Sequence, residues 1–219
     1  GAKIQGAGTG SLTVTGVKRL FGVTRRVAGD RIVAGTYLAA VMARGGKVLL
    51  KGINPKHLLS VLETFSRSGA VFHMGEDQIE VVMEGCPRGF DIVTGPYPEF
   101  PTDLQSPAMA VMAAARGDSR IKETVFESRF ATAGELLKLG ARIEIDGRNA
   151  RIFGAAGKFP LKGAELEARD LRGGAAAVIG GMAAEGETKI TGCRYIRRGY
   201  EDICRDLKAL GASIEDRKP

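Results

Sequence analysis

A Gly-Ala dipeptide followed by alternating apolar residues occurs four times in this chain, at Gly1-Ala2, Gly69-Ala70, Gly140-Ala141 and Gly211-Ala212. The intervals are 68, 71 and 71 residues (1 to 69, 69 to 140, 140 to 211). A period this regular restricts the fold to one supersecondary unit used repeatedly. The middle copy spells the unit out. A strand over 90–94 leads to a helix over 103–115, a strand over 119–123 and a second helix over 128–139. Gly140 closes that helix as the glycine just past its end. A hairpin over 141–145 and 149–153 follows, with its turn at Asp146-Gly147.

The same βαβαββ order fits the other copies. The first has a strand over 24–28, helices over 31–43 and 56–68, a strand over 47–51 and a hairpin over 71–74 and 78–83. The third has strands over 164–168 and 188–191 and helices over 171–184 and 200–210. A last strand over 213–215 has no partner, and the chain begins with a surplus hairpin over 3–5 and 12–15. The repeats therefore span about 24–84, 89–154 and 163–216. Residues 1–29 are read as a surplus hairpin and connection, and 30–219 as the domain proper. The helices over 104–115 and 173–184 are rich in Ala, Gly, Met and Val and nearly free of charge until their ends. A helix apolar on all sides belongs in an interior. The expected fold is α/β: an inside-out, barrel-like domain of three βαβαββ repeats with helices buried and sheets outside. The closing hairpins argue against a solenoid or a doubly wound sheet.

Composition narrows the function. Thirty-two basic residues against 25 acidic ones give +7, but the basic residues are scattered. That excludes a basic nucleic-acid-binding tail and fits an anionic small-molecule substrate. A folded nucleic-acid-binding module is the rival of a different class; it lacks aromatic stacking clusters and a dense basic stripe. Cys86, Cys193 and Cys204 are odd in number with no CxxC spacing, so they read as reduced thiols of a cytosolic protein. His57 and His73 lack metal-ligand companions, and no metal is expected. No apolar run is long enough to span a membrane, and no signal peptide is visible. The start at Gly1-Ala2 without Met suggests a cut piece.

Chemistry concentrates at helix starts. Gly95-Pro96-Tyr97-Pro98-Glu99-Phe100-Pro101-Thr102-Asp103-Leu104-Gln105 places three prolines within six residues. Such a backbone is stiff and non-helical, and it delivers Asp103 to a helix start. The plain expectation is that Thr102 or Asp103 caps the helix, but a cap does not need so stiff an approach. Asp30 and Asp170 open the corresponding helices of the other units, and they too are good caps. Ser128-Arg129 and Arg197-Arg198-Gly199 open second helices, and Arg172 follows Asp170. Arginines there oppose the helix dipole. For one arginine a solvated surface charge is the safer reading. Three such departures from local consistency, at Arg129, Arg172 and Arg198, point instead to a shared site for a carboxylate or phosphate. Gly6-Ala7-Gly8-Thr9-Gly10 lacks phosphate-loop spacing and reads as a turn.

Four motifs carry a family resemblance: Phe100-Pro101-Thr102-Asp103-Leu104-Gln105, Glu123-Thr124-Val125-Phe126-Glu127-Ser128-Arg129-Phe130, Asp170-Leu171-Arg172-Gly173-Gly174 and Arg198-Gly199-Tyr200-Glu201. Together with Asp30-Arg31-Ile32-Val33-Ala34-Gly35-Thr36-Tyr37, they make the chain resemble the UDP-N-acetylglucosamine 1-carboxyvinyltransferase family over its whole length. The resemblance implies the C-terminal half of a two-domain enzyme whose N-terminal half carries a Lys-Asn motif and a cysteine loop. It assigns residues 1–29 to the other domain, and it implies that the isolated half is inactive. It implies enolpyruvate transfer from phosphoenolpyruvate to the 3-hydroxyl of UDP-N-acetylglucosamine, in the bacterial cytoplasm, at the start of peptidoglycan synthesis, with no cofactor. Asp103 would be the general base, Arg129 and Arg172 would hold the carboxylate, and Arg198 would contact the phosphate. Asp170 and Asp30 would order charged groups, and Val125 would line the sugar-nucleotide pocket through its backbone. Arg197 stands where the family usually has an acid, which would make the phosphate corner more basic. The sibling reading is the shikimate-pathway enolpyruvyl transferase. The open sheet edge near 213–215 suggests a dimer through that edge.

Overall fold

The repeat is visible in the element order. The computed structural model describes residues 1–154 and 160–217. A short antiparallel hairpin, β1 (Lys3–Gln5) with β2 (Thr13–Thr15), comes first. Unit one runs α1 (Arg31–Arg44), β3 (Gly46–Lys51), a 3-10 turn (Pro55–Leu58), α2 (Leu59–Ser66), β4 (Val71–Met74) and β5 (Gln78–Met83). Unit two runs β6 (Ile92–Val93), a 3-10 turn (Thr102–Leu104), α3 (Gln105–Ala114), β7 (Ser119–Lys122), α4 (Ala131–Lys138), β8 (Arg142–Asp146) and β9 (Asn149–Phe153). Unit three runs β10 (Glu165–Glu167), α5 (Leu171–Ala183), β11 (Lys189–Thr191), a 3-10 turn (Ile196–Arg198) and α6 (Ile203–Ala209).

The first helix of each unit lies inside. α1, α3 and α5 pack on one another, and nine of the ten residues of α3 are buried. Small residues permit the close approach. A Cβ on Gly35 of α1 would collide with the methyl groups of Leu104, and one on Gly180 of α5 would come within 2.9 Å of Leu136 and Leu139. The sheets form the outer layer: β3-β5-β4, β6-β7-β9-β8 and β10-β11. Their strands alternate accordingly. In β5, Ile79, Val81 and Met83 are buried while Gln78, Glu80 and Val82 are half-exposed. The helices-inside, sheets-outside α/β arrangement is therefore as expected, although the sheets do not close into a barrel.

The recurring Gly-Ala has a local cause. Gly140 and Gly211 adopt φ of +88° and +95° just past α4 and α6. The Ala141 N–H returns to the Leu136 carbonyl and the Gly140 N–H to the Leu137 carbonyl, the paired bonds that end a helix on a left-handed residue. Ala212 and Gly211 repeat the pattern on Leu207 and Lys208. The dipeptide thus marks the end of the second helix in the unit.

Several boundaries differ from expectation. Residues 24–28 form no strand, and β3 pairs only with β5. Its outer edge is therefore unpaired among the described residues, whereas β6 and β10 lie parallel beside β7 and β11. Val27 within that segment is almost fully exposed, so it is not packed against the β3 edge. Residues 213–215 likewise form no strand, so among the described residues β11 has only β10 as a neighbour. The β8–β9 turn is Gly147-Arg148 rather than Asp146-Gly147, because Asp146 pairs with Asn149. Gly147 alone has positive φ, +54°, which suits a two-residue loop with glycine first. The second helices begin later than the pattern suggests. α4 starts at Ala131 and α6 at Ile203, the latter capped by Asp202. Arg129 therefore lies in the loop before α4, and Arg198 in a 3-10 turn. Neither opposes a helix dipole as the sequence reading assumed.

Candidate active site

The starts of α1 and α3 meet at a cleft of about 480 Å³, and the start of α5 reaches it through Arg172. Its walls are the proline-rich loop (Gly95, Pro96, Tyr97), the Pro101–Asp103 turn, the Thr124–Phe126 loop, and Arg31 and Ile32 at the head of α1. The proline loop is closed at its neck, where the Gly95 N–H donates to the Phe100 carbonyl at 2.9 Å. Phe100 anchors it in the core, edge-on to Phe65 at 5.8 Å between ring centres. Arg31 lies over the Tyr97 ring at 5.3 Å.

The same loop explains why Asp103 is not a helix cap. Pro101 begins a 3-10 turn in which the Leu104 N–H donates to the Pro101 carbonyl and the Gln105 N–H to the Thr102 carbonyl. These tight bonds satisfy groups that a capping side chain would otherwise serve. Neither Thr102 nor Asp103 makes a side-chain cap bond, so the plain expectation for them is overturned. Pro107 falls within the first turn of α3, where no N–H is needed.

Asp103 is instead held by two arginines. Arg129 Nη2 donates to Oδ1 at 2.6 Å, and Arg172 Nη2 donates to Oδ2 at 3.0 Å. The three side chains are 38, 22 and 16 % exposed for Asp103, Arg129 and Arg172. Partial burial alone would raise the Asp103 carboxyl, but the charges and hydrogen bonds of Arg172 and Arg129 outweigh it and hold the group below the usual carboxylate range. Arg129 also stacks on Phe126 at 4.6 Å. Arg172 Nη1 is buried and has no hydrogen-bond partner among the described residues. A buried guanidinium donor left unmet is a departure from ordinary satisfaction that calls for an explanation.

Asp170 caps α5, accepting from the Arg172 and Gly173 N–H groups at 2.9 and 2.7 Å, and so fixes the backbone that carries Arg172. Asp30 caps α1 through the Ile32 and Val33 N–H groups, immediately before the cleft residues Arg31 and Ile32. For these two aspartates the capping expectation holds. Val125 lines the cleft, but its N–H is already donated to Glu123, leaving its carbonyl as the backbone group open to a ligand.

The Arg198 turn packs on the first turn of α5. A Cβ on Gly174 would come within 2.6 Å of Ile196, and one on Gly199 within 2.8 Å of Leu171. Tyr200 ties the turn to α1 through a 2.8 Å bond between its hydroxyl and Thr36. The Arg198 N–H donates to the Tyr195 carbonyl, while its side chain is exposed and makes no ion pair or hydrogen bond among the described residues. Arg197 does not add charge to this corner as expected, since it pairs with Asp216 at 2.6 Å.

Glu123 is the residue that sequence reasoning missed. It reads there as the end of a strand, yet it is 1 % exposed. Its Oε1 accepts from the Thr94 hydroxyl at 2.8 Å, the Val125 N–H at 2.8 Å and the Phe126 N–H at 3.1 Å. Its Oε2 accepts from the Thr102 hydroxyl at 2.8 Å. Burial alone would raise this carboxyl, but these donors hold it low. A signal existed in the paired threonines, Thr94 and Thr102, flanking the proline loop. Burial pushes the thiols of Cys86 and Cys204 up, which makes them poor nucleophiles. No helix among the described residues is long and apolar enough to cross a membrane.

Comparison with known proteins gives the family and the fold. A family model described as EPSP synthase (3-phosphoshikimate 1-carboxyvinyltransferase) matches residues 1–207. A UDP-N-acetylglucosamine 1-carboxyvinyltransferase of Rhodopseudomonas palustris is 44% identical over 98% of the chain, and one of Thermotoga maritima 42% over 98%. Each match covers 50% of the relative, so the chain spans about half the length of the curated relatives it matches. Among solved structures, the enolpyruvyl transferase NikO from Streptomyces tendae superposes with a TM-score of 0.79 at 27% identity, over 98% of this chain and 51% of that one. EPSP synthase from Acinetobacter baumannii shares the fold, with a TM-score of 0.73 at 18% identity over all of this chain and 53% of that one.

Proposed function

The chain belongs to the EPSP synthase (3-phosphoshikimate 1-carboxyvinyltransferase) family, and from that premise we propose that it is the C-terminal half of a UDP-N-acetylglucosamine 1-carboxyvinyltransferase. The full-length enzyme moves enolpyruvate from phosphoenolpyruvate to the sugar 3-hydroxyl and releases phosphate, in the cytoplasm, as the first committed step of peptidoglycan synthesis. The observation that carries this reading is Asp103 pinned between Arg129 and Arg172 at a cleft lined by Val125.

Transfer between two anions needs fixed positive charge and one base. Arg129 and Arg172 receive the carboxylate of phosphoenolpyruvate through their guanidinium groups. Arg198 meets the phosphate. As the ligand carboxylate takes up the two guanidinium groups, Asp103 loses part of its counter-charge and becomes a stronger base. It then accepts the proton of the 3-hydroxyl. Proton transfer by a positioned group of this kind contributes about 10²- to 10⁴-fold to rate. Asp170 and Asp30 hold the helix starts that carry Arg172 and Arg31. The other cleft wall belongs to the N-terminal half, so the chain by itself is inactive. A dimer through the open β11 edge is the remaining partner expectation.

The test is turnover. The full-length protein supplied with UDP-N-acetylglucosamine and phosphoenolpyruvate releases phosphate, and this chain alone does not. Phosphate release with shikimate 3-phosphate in place of the nucleotide sugar would instead assign the shikimate-pathway activity.

A further inference from the structure

The back of the cleft is organised by a carboxylate that the proposed chemistry does not use. Resting on the carboxyvinyl-transfer reading above, we propose that Glu123 is a positioning residue that locks the Thr124–Phe126 wall of the cleft to the turn carrying Asp103. A buried carboxylate is costly unless its lone pairs are met. Glu123 meets them with four donors, two hydroxyls and two backbone N–H groups, and with no cation among the described residues. Those donors come from three separate segments, and each segment supplies residues to the cleft wall. Thr94 precedes the proline loop, Thr102 precedes Asp103, and Val125 and Phe126 form the opposite wall. The clamp is doubled at Thr94. Its hydroxyl accepts from the Thr124 N–H at 2.9 Å, and its carbonyl accepts from the Thr124 hydroxyl at 2.5 Å.

A carboxylate placed only to fill space would not divide its oxygens this way. Oε1 serves Thr94 and the Val125–Phe126 backbone, while Oε2 serves Thr102 alone. The division makes the two ends separable. Thr102→Val cuts the bond to the Asp103 turn and leaves the three bonds to Oε1 in place. Glu123→Ala cuts all four.

The experiment compares both variants with the wild type in the full-length protein, by amide hydrogen exchange and by kinetics with UDP-N-acetylglucosamine and phosphoenolpyruvate. Thr102→Val lowers kcat about tenfold or more while the KM for the nucleotide sugar stays within about twofold, the range seen when an outer-shell partner is removed. Exchange at Leu104 and Gln105, whose N–H groups close the Asp103 turn, quickens about tenfold, and that at Val125 and Phe126 is unchanged. Glu123→Ala quickens both pairs and raises that KM as well. Unchanged exchange at Leu104 and Gln105 in Thr102→Val, or protected Val125 and Phe126 amides in Glu123→Ala, overturns the coupling. If Glu123→Ala does not fold, Thr102→Val alone decides. If the wild type does not turn over this substrate pair, the carboxyvinyl-transfer reading falls, and the exchange pattern still decides whether Glu123 couples the two walls.

Discussion

Three aspartates mark the starts of the three interior helices, and they do different work. Asp30 and Asp170 stand immediately before α1 and α5 and spend their carboxylates on backbone N–H groups of the first turn. Asp103 sits in a 3-10 turn before α3, touches no helix N–H, and faces Arg129 and Arg172. The pseudo-repeat supplies the position, and the proline-rich approach changes its use. Pro101 lets backbone bonds close the helix start, so the side chain is released to the cleft. A repeated fold can therefore free one of three equivalent capping positions to face a cleft by altering only the segment that leads into it.

The sharpest way to break this comparison is chemical. In the full-length protein, Asp103→Asn is expected to lower kcat about 10²- to 10⁴-fold, the usual contribution of a general base. Binding of UDP-N-acetylglucosamine should be largely retained, because the amide keeps the shape of the side chain. Steady-state kinetics and calorimetric titration check this. Near-normal turnover would remove Asp103 from the base role and make it a structural counter-ion.

A smaller effect separates Asp103 in acid. Its carboxyl titrates lower in the folded chain than in the unfolded chain, because Arg172 and Arg129 together outweigh the cost of burial. The stability it contributes is therefore complete above the ordinary carboxylate range and is lost as pH falls through the lowered folded value. Glu123 behaves with the same sign. Urea midpoints measured between about pH 6 and about pH 3 should fall on acidification in the wild type. In Asp103→Asn the midpoint should be lower at the neutral end, where two arginines lose their shared counter-charge, and the gap to wild type should narrow toward acid. A gap that stays constant across that range would mean the ion pairs contribute nothing that titrates.

Much of this was legible in the chain, and the exceptions share a cause. The hairpin β4–β5 and helix α1 followed from alternation and apolar content, because those patterns state a local preference that the tertiary fold keeps. The burial of α3 and α5 followed from helices with no polar side. The grouping of Asp103, Arg129 and Arg172 came from repetition and from the family resemblance. What escaped depended on neighbours far along the chain. Residues 24–28 and 213–215 have strand-like sequence yet leave the edges of β3 and β11 open among the described residues, and no local pattern says whether a segment will pair with an edge far along the chain. The role of Glu123 needs Thr94 and Thr102, 29 and 21 residues away. The Arg197–Asp216 pair brings the chain's end back onto a turn, and no local pattern announces it.

The smallest effect tests the capping half of the comparison. Asp30→Ala removes an acceptor from the Ile32 and Val33 N–H groups, which lie at 2.7 and 3.2 Å from it. Loss of such a cap costs about 1 kcal/mol, and Asp170→Ala should cost about the same by the same count of bonds. The two variants should still differ in the full-length enzyme. Asp170 holds the N–H of Arg172 itself, so if Arg172 meets the ligand carboxylate as proposed, its loss should loosen that guanidinium and raise the KM for phosphoenolpyruvate. Asp30 holds only Ile32 and Val33, and its loss should leave that KM alone. Equal denaturation losses with unequal KM values would show that identical caps have been given unequal tasks. Equal KM values would place Asp170 with Asp30 as a cap and nothing more, leaving Asp103 as the one aspartate of the three that the site employs.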